Sequence, residues 1–281
     1  MKLIADGGST KTEWCLCNNG RLVKRIFTGG INPYILDDDE ISHLLINDLL
    51  PQLDNNKINE IYFYGSGCRD AVIPRMTEVF SKAFGCNADN IHVYSDMLAS
   101  ARALLNHKSG IACILGTGSN SCYYDGENIV ENTPALGYIL GDEGSGSNIG
   151  KTLVNAIYKR RMPEVIVKKF ESDCNLNQDE VIKRTYKCSE PGRFLASLTH
   201  FVADNIEYPG MQNLVTECFR NFFRNNIAPY GKKDCTIAAI GGVAFHFKDL
   251  LSKAAETEGF KLDKVIQSPM SGLLEYHEVK E

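Results

Sequence analysis

At the start of the chain, apolar positions alternate with polar ones, break, and resume. Leu3, Ile4 and Ala5 run up to Asp6, small and polar residues follow from Gly7 to Lys11, and alternation returns through Trp14 and Leu16. This pattern predicts a strand, a tight turn and a second strand. Asn18-Asn19-Gly20 then turns the chain into a third strand, Leu22–Phe27, so the opening is an antiparallel meander. The period becomes helical at Ile41, Leu44, Leu45 and Leu49, behind an Asp37-Asp38-Asp39 cap. A strand at Ile61–Tyr64, a helix opened by Pro74, a strand at Ile91–Tyr94 and a helix at Met97–Leu105 complete a β-β-β-α-β-α-β-α order.

The order then restarts. Ile111–Asp125 reads as an apolar strand, a Gly116-Thr117-Gly118-Ser119-Asn120 turn and a strand ending in Tyr123 and Tyr124. Two hairpins of one design predict a duplicated architecture with a nucleotide held between its halves. The boundary falls near Asn106–Ser109. Thr133–Gly150 has the composition of a functional loop, carries Asp142-Glu143 and leads to a helix from Lys151. Helical spacing recurs at Asp179–Lys187, Arg193–Ile206 and Asn213–Ile227, and the aromatics of the last read as packing. Strand Thr236–Ile240 meets Gly241-Gly242 and a helix from Ala244. Val265–Pro269 reads as a last strand, and Ser271–Tyr276 as a helix crossing back to the first half.

Composition narrows the class. A chain of 281 residues suits two domains, and 43% hydrophobic with 23% charged residues is ordinary for a globular protein. A net charge of −5 without a basic stripe argues against nucleic acid as a partner. No apolar run approaches the roughly 20 residues that span a membrane. With no signal-peptide pattern, the expected location is the cytoplasm. The ten cysteines are scattered without a CxxC, and the six histidines show no ligand spacing, so structural zinc is not expected. Cys15 and Cys17 share one face of a predicted strand, and buried thiols of this kind behave as small hydrophobes in a reducing compartment.

The turns carry the candidate chemistry. Gly7 and Gly8 let the first turn aim several N–H groups into one concavity, with Ser9, Thr10 and Lys11 as further donors. Such a nest suits phosphate, and Asp6 beside it is placed for the Mg²⁺ that accompanies a nucleotide. The same residues would also serve an ordinary hairpin. Neither hairpin matches the P-loop or the strand–GxGxxG–helix dinucleotide unit. Asn32 is either a turn former before Pro33 or a ligand-facing amide. Asp96, at a strand-to-helix junction, is either an N-cap or a base at the mouth of a parallel sheet. Gly241-Gly242 lets a nucleotide lie against backbone and a helix N-terminus.

DGGSTKT (Asp6–Thr12), SDMLASARAL (Ser95–Leu104), LGTGSNS (Leu115–Ser121), LGDEGSG (Leu140–Gly146) and IGGVA (Ile240–Ala244) stand in an order that spans nearly the whole chain. That order resembles the N-acetylglucosamine kinase-like group of the BadF/BadG/BcrA/BcrD ATPase family, within the actin/hexokinase/Hsp70 superfamily. The resemblance implies an α/β fold of two ribonuclease H-like (actin-like ATPase) domains. Each would hold a mixed five-stranded sheet flanked by helices, with the active-site cleft between them. The domains would be residues 1–108, completed by a C-terminal helix at 268–281, and residues 109–267.

The implied activity is an ATP-dependent carbohydrate kinase acting on a hydroxyl, C6 by family analogy, of an N-acetylated amino sugar such as N-acetylglucosamine. ATP and Mg²⁺ are the implied cofactors. Asp96 would be the catalytic base, with a pKa lowered by the helix N-terminus, and Asp6 would hold Mg²⁺ through the nucleotide. Gly7, Gly8, Ser9, Thr10, Lys11, Gly116, Thr117, Gly241 and Gly242 would bind nucleotide. Asn32, Ser119, Asn120 and Asp142 would hold sugar hydroxyls. Domain closure would exclude water, and a homodimer follows by the same analogy.

In one place the chain departs from the pattern. The family's Gly-Trp pair is replaced by Ala135-Leu136-Gly137-Tyr138, which widens the substrate class to N-acetylmuramic acid, glucosamine or another amino sugar. Two alternatives come with the resemblance. The family's other branch holds iron–sulfur ATPases that activate 2-hydroxyacyl-CoA dehydratases and benzoyl-CoA reductases through a cluster shared across a dimer. Cys174 and Cys188 are the pair to watch for that role. A non-catalytic sugar or nucleotide sensor is the other alternative, but it would not need Asp6, Asp96 and both Gly-rich turns.

Overall fold

The computed structural model describes residues 1–54 and 56–280. The chain divides into two compact units. The first comprises Met1–Lys108, Gly126–Asn128 and the chain from Pro269 on; the second comprises Ser109–Asp125 and Ile129–Ser268.

The first unit is built on β1 (Lys2–Gly7), β2 (Lys11–Asn18), β3 (Arg21–Gly29), β4 (Glu60–Gly65) and β5 (Ile91–Ser95). They form one sheet in the order β3-β2-β1-β4-β5. β1 runs antiparallel to β2 and parallel to β4. Alternation divides the sheet's faces. Leu3, Ala5, Trp14, Leu16, Ile61 and Phe63 fill one core with the helix Ile73–Phe84. The Trp14 indole is fully buried, and its N–H is satisfied by Thr28 Oγ1 at 2.9 Å. The opposite face presents Asp6, Tyr62, Tyr64, His92 and Tyr94, and it packs against the helices Asp96–Leu105 and Met270–Tyr276.

The second unit repeats the plan with β6 (Gly110–Leu115), β7 (Ser119–Tyr124), β8 (Ile129–Thr133), β9 (Ile237–Ile240) and β10 (Leu262–Ile266). Its order, β10-β9-β6-β7-β8, is the first sheet's order strand for strand when read from the other edge. Its core joins Ile111, Cys113 and Leu115 to the helices Gly146–Tyr158 and Pro209–Phe222. Among the described residues, no helix is long and apolar enough to cross a membrane.

Several elements differ from the sequence expectation, each for a local reason. The helix expected from Lys151 begins at Gly146, because Ser145 Oγ accepts from Asn148 N and caps it there. The helix expected from Ala244 begins at Gly242. The last strand ends at Ile266, since Pro269 stands at the N-cap of the next helix. The helix predicted around Ile41–Leu49 starts as an α-turn, widens to a π-turn at Leu44–Leu49 and closes as a 3₁₀ turn at Leu50–Leu53, where Pro51 sits. The helix predicted at Arg193–Ile206 is two, Pro191–Ser197 and Thr199–Asp204. The helix Glu164–Cys174 and strand β8 were not anticipated.

Candidate active site

In the first unit the phosphate-type hairpin is braced by two other loops. Gly8 N donates to Lys11 O at 3.0 Å to close the turn, and Gly30 N donates to Thr10 O at 3.1 Å. A Cβ on Gly30 would fall 2.4 Å from the Ser9 carbonyl carbon, so only glycine allows the loop after β3 to press this closely on the turn. Asn32 Nδ2 donates to Ser9 Oγ at 2.8 Å, and Asn32 Oδ1 accepts from Tyr34 N at 3.0 Å. Asn32 is therefore a turn former and also reaches the hairpin. Ser66 N donates to Gly7 O at 2.8 Å, which draws the Gly65–Gly67 turn to the end of β1.

Asp96 is the first residue of its helix and not its cap. Ser95 Oγ accepts from Leu98 N at 3.2 Å, as an N-cap does. The Asp96 carboxylate accepts from Met97 N at 2.8 Å. Burial raises its pKa above the ordinary carboxylate value, opposed by the Met97 N–H, Ser66 and the Arg69 charge. The expected lowering by the helix N-terminus is thus overturned, because desolvation outweighs the donors. Asp6 is pushed up to about 7, first by burial and then by Glu13 and Asp96, with Lys11 opposing.

Buried carboxylates that repel one another are the charge environment a divalent cation relieves. Among the described residues, no group of three or more His, Cys, Asp or Glu is arranged to hold a metal unaided. Mg²⁺ commonly uses one or two carboxylates together with substrate phosphates and water, and Asp6 fits that requirement.

In the second unit the Gly116–Gly118 turn is held by the first N–H groups of the helix Gly146–Tyr158. Gly146 N donates to Gly116 O at 2.8 Å, and Ser147 N to Thr117 O at 3.0 Å. Asp142 has a φ of +56° and accepts from Ser119 N at 3.2 Å. A Cβ on Gly118 would lie 2.9 Å from Asp142 Oδ2. Burial raises the Asp142 pKa against the pull of Ser119 N–H. Asn120 Oδ1 is already engaged by Ser121 N at 2.9 Å and Asn132 Nδ2 at 3.1 Å.

Gly241, at φ +121°, brings the end of β9 against the end of β6. Gly116, Thr117 and Gly242 line one cavity of about 650 Å³, together with Arg193, His246 and Gln267. That volume suits a small-molecule ligand. A larger cavity of about 890 Å³ opens at the other end of β1, beside Lys2 and His277 and away from Asp6.

The structure thus gathers Asp6, the first turn, Asn32 and Asp96 in one unit, and Gly116, Thr117, Ser119, Asp142, Gly241 and Gly242 in the other. Sequence reasoning missed Ser66 and Arg69, although the Gly65-Ser66-Gly67 turn at a strand's carboxyl end was visible. Arg193, His246 and Gln267 carry no local signal. At the departure from the family pattern, Leu136 is 59% exposed, Ile139 69% and Leu140 74%, an apolar strip leading directly to Asp142. Cys174 is half-buried at the end of its helix, and Cys188 is exposed.

Two units of this topology define an actin-like ATPase fold. A scan against family models and a search of curated proteins give no match. Among solved structures, a Chromobacterium violaceum protein described as a "Putative N-acetylglucosamine Kinase" superposes with a TM-score of 0.76 at 16% identity, covering 98% of both chains. A Streptomyces griseus ROK family glucokinase in complex with glucose and AMPPNP gives 0.58 at 14% identity, over 98% of this chain and 97% of its own. These two share the fold. A Porphyromonas gingivalis protein with the same description as the first superposes at 0.93, with 41% identity over 99% of both chains. The chain belongs to this N-acetylglucosamine kinase-like family.

Proposed function

We propose that the chain is an ATP-dependent sugar kinase that phosphorylates a hydroxyl, C6 by family analogy, of an N-acetylated amino sugar. The observation that carries this reading is the 41% identity, over 99% of both chains, to the Porphyromonas gingivalis protein described as a "Putative N-acetylglucosamine Kinase". The exposed strip Leu136, Ile139 and Leu140 beside Asp142 supports an acylated sugar over an unsubstituted hexose, since an acyl group offers the apolar surface such side chains cover.

In this reading Asp96 accepts the hydrogen bond of the acceptor hydroxyl and takes its proton. Phosphoryl transfer passes through a loose transition state, so orientation and charge neutralisation matter more than a strong base. A carboxylate whose pKa is raised toward neutrality is also the better proton acceptor. The Met97 N–H holds the Asp96 carboxylate, and Asn32 and Asp142 are candidates for the sugar hydroxyls. The cavity beside Thr117 and Gly242 takes the nucleotide. Mg²⁺, held by Asp6 with the phosphates, would supply charge neutralisation at the transferring group.

The test is coupled ADP release with Mg·ATP against N-acetylglucosamine, N-acetylmuramic acid, glucosamine, N-acetylmannosamine and glucose, with Asp96→Asn as control. One N-acetylated sugar should stimulate release strongly. The variant should lose transfer by about 10³-fold or more while binding ADP and sugar as before. ADP release indifferent to every sugar, or normal turnover in the variant, would refute the assignment.

A further inference from the structure

Among the described residues, one buried charge in the first unit, that of Arg102, has no carboxylate paired with it. Arg102 is 8% exposed, and its guanidinium lies 4.4 Å from the ring centroid of Tyr94, 4.8 Å from Tyr276 and 5.7 Å from Tyr64. Its Nη1 donates to Tyr64 Oη at 2.9 Å, and the same oxygen lies 2.9 Å from His277 Nε2. Its Nε is buried without a partner. Its observed side-chain partners are these tyrosines.

A cation taken out of water without a counter-charge is costly, and an apolar side chain of similar volume often fills such a space without loss of stability. Stability therefore does not account for Arg102, whereas geometry does. The three rings come from β4, β5 and the helix Met270–Tyr276, while the guanidinium comes from the helix Asp96–Leu105. A planar group caught among three elements fixes both the rotation and the axial setting of the helix that carries it. Asp96 begins that helix, less than two turns and ~9 Å before Arg102. A slip of one residue would move Asp96 by ~1.5 Å and turn it ~100° away from Ser66. Tyr64 is also the register partner of Asp6 across β4 and β1, so the clamp sits on the sheet beside that candidate carboxylate as well.

We infer that Arg102 is a positioning residue: held among Tyr64, Tyr94 and Tyr276, it sets the helix so that Asp96 meets the acceptor hydroxyl. The inference rests on the kinase reading above. It is tested with full-length Arg102→Met, measured for kcat, KM for ATP and sugar, and Tm. Misplacement of about 1 Å costs up to ~10²-fold, so kcat should fall ten- to a hundredfold. Both KM values should stay within about threefold, and Tm should hold or rise.

Tyr64→Phe removes the oxygen that Arg102 and His277 share while keeping the ring. It should lower kcat several-fold on the same pattern, and it decides the matter if Arg102→Met does not fold. A kcat within twofold of wild type in the folded variant overturns the inference. So does a kcat loss matched by equal losses of Tm and sugar binding, which would mark a purely structural role. A wild-type chain that transfers to no sugar in the panel removes the kinase reading, and this inference falls with it.

Discussion

Gly241 and Gly242 are adjacent, yet alanine should do opposite things at each. At Gly241 the backbone holds φ at +121°, and a Cβ would stand 2.4 Å from Leu115 O and 2.8 Å from Leu115 C. Forcing a side chain into such a conformation costs of order 1–3 kcal/mol. The obstructing atoms are backbone and cannot rotate aside, so β9 must also draw back from β6. Gly241→Ala should therefore cost at least about 3 kcal/mol, a fall in Tm of about 6–12 °C for a domain of this size.

At Gly242 nothing lies within 4 Å of the added carbon. The residue opens the helix Gly242–His246, where alanine is the better former by up to ~1 kcal/mol. The space it would enter is the wall of the cavity beside Thr117. Gly242→Ala should therefore keep or raise Tm while weakening ADP binding about tenfold, because a methyl there blocks close approach of a ligand to the backbone. Scanning calorimetry and ADP titration on both variants decide it. If Gly241→Ala melts with the wild type, or Gly242→Ala melts as low as Gly241→Ala, the packing argument is wrong.

Two pH predictions with opposite signs follow from the first unit. The Asp6 pKa is raised to about 7 from 3.8, so its contribution to stability is present below 3.8 and lost as pH rises through 7. That displacement corresponds to roughly 4 kcal/mol at most, so Asp6→Asn should raise Tm at pH 8 and not at pH 4 while abolishing transfer. An unchanged Tm at pH 8 would count against a desolvated Asp6. His277 is lowered to about 3 from 6.5, chiefly by burial, so it favours folding above pH 6.5 and loses that contribution as pH falls. At pH 5 the loss is about 2 kcal/mol, and His277→Gln should flatten the urea midpoint between pH 5 and 7 relative to wild type. A variant as acid-sensitive as the wild type would refute this.

The hairpins were legible because their signals are local. Period-two alternation flanking Gly7-Gly8 and Gly116–Gly118 specifies strand, turn and strand without help from elsewhere. The short helix Gly137–Leu140 and β8 were not legible. Glu131, Asn132 and Thr133 lie on an edge strand whose side chains are mostly exposed, and it leaves no alternation to read. Asp96 was identifiable by position, but its electrostatics were not. Burial, Ser66 and Arg69 reach it through the packing of β4, β5 and the loop after β4, none of which a linear reading can place in space. The Arg102 clamp is a stronger case, since its rings stand at positions 64, 94 and 276 and meet only in the folded unit.

The helix Met270–Tyr276 belongs to the unit that begins at Met1, although the chain from Ser109 to Ser268 is almost entirely committed to the other. During synthesis, β1 to β5 and the helix bearing Asp96 emerge long before the segment that covers them. At about 5–20 residues per second, the intervening stretch of about 160 residues takes roughly ten to thirty seconds. Throughout that interval Tyr62, Tyr64 and the guanidinium of Arg102 lack Tyr276 and His277, and an aromatic sheet face stays open to water. The second unit also closes late, since β9 and β10 complete its sheet only a few residues earlier. The unit carrying the candidate base waits for Tyr276 and His277, and a stalled ribosome would hold it in its most aggregation-prone state.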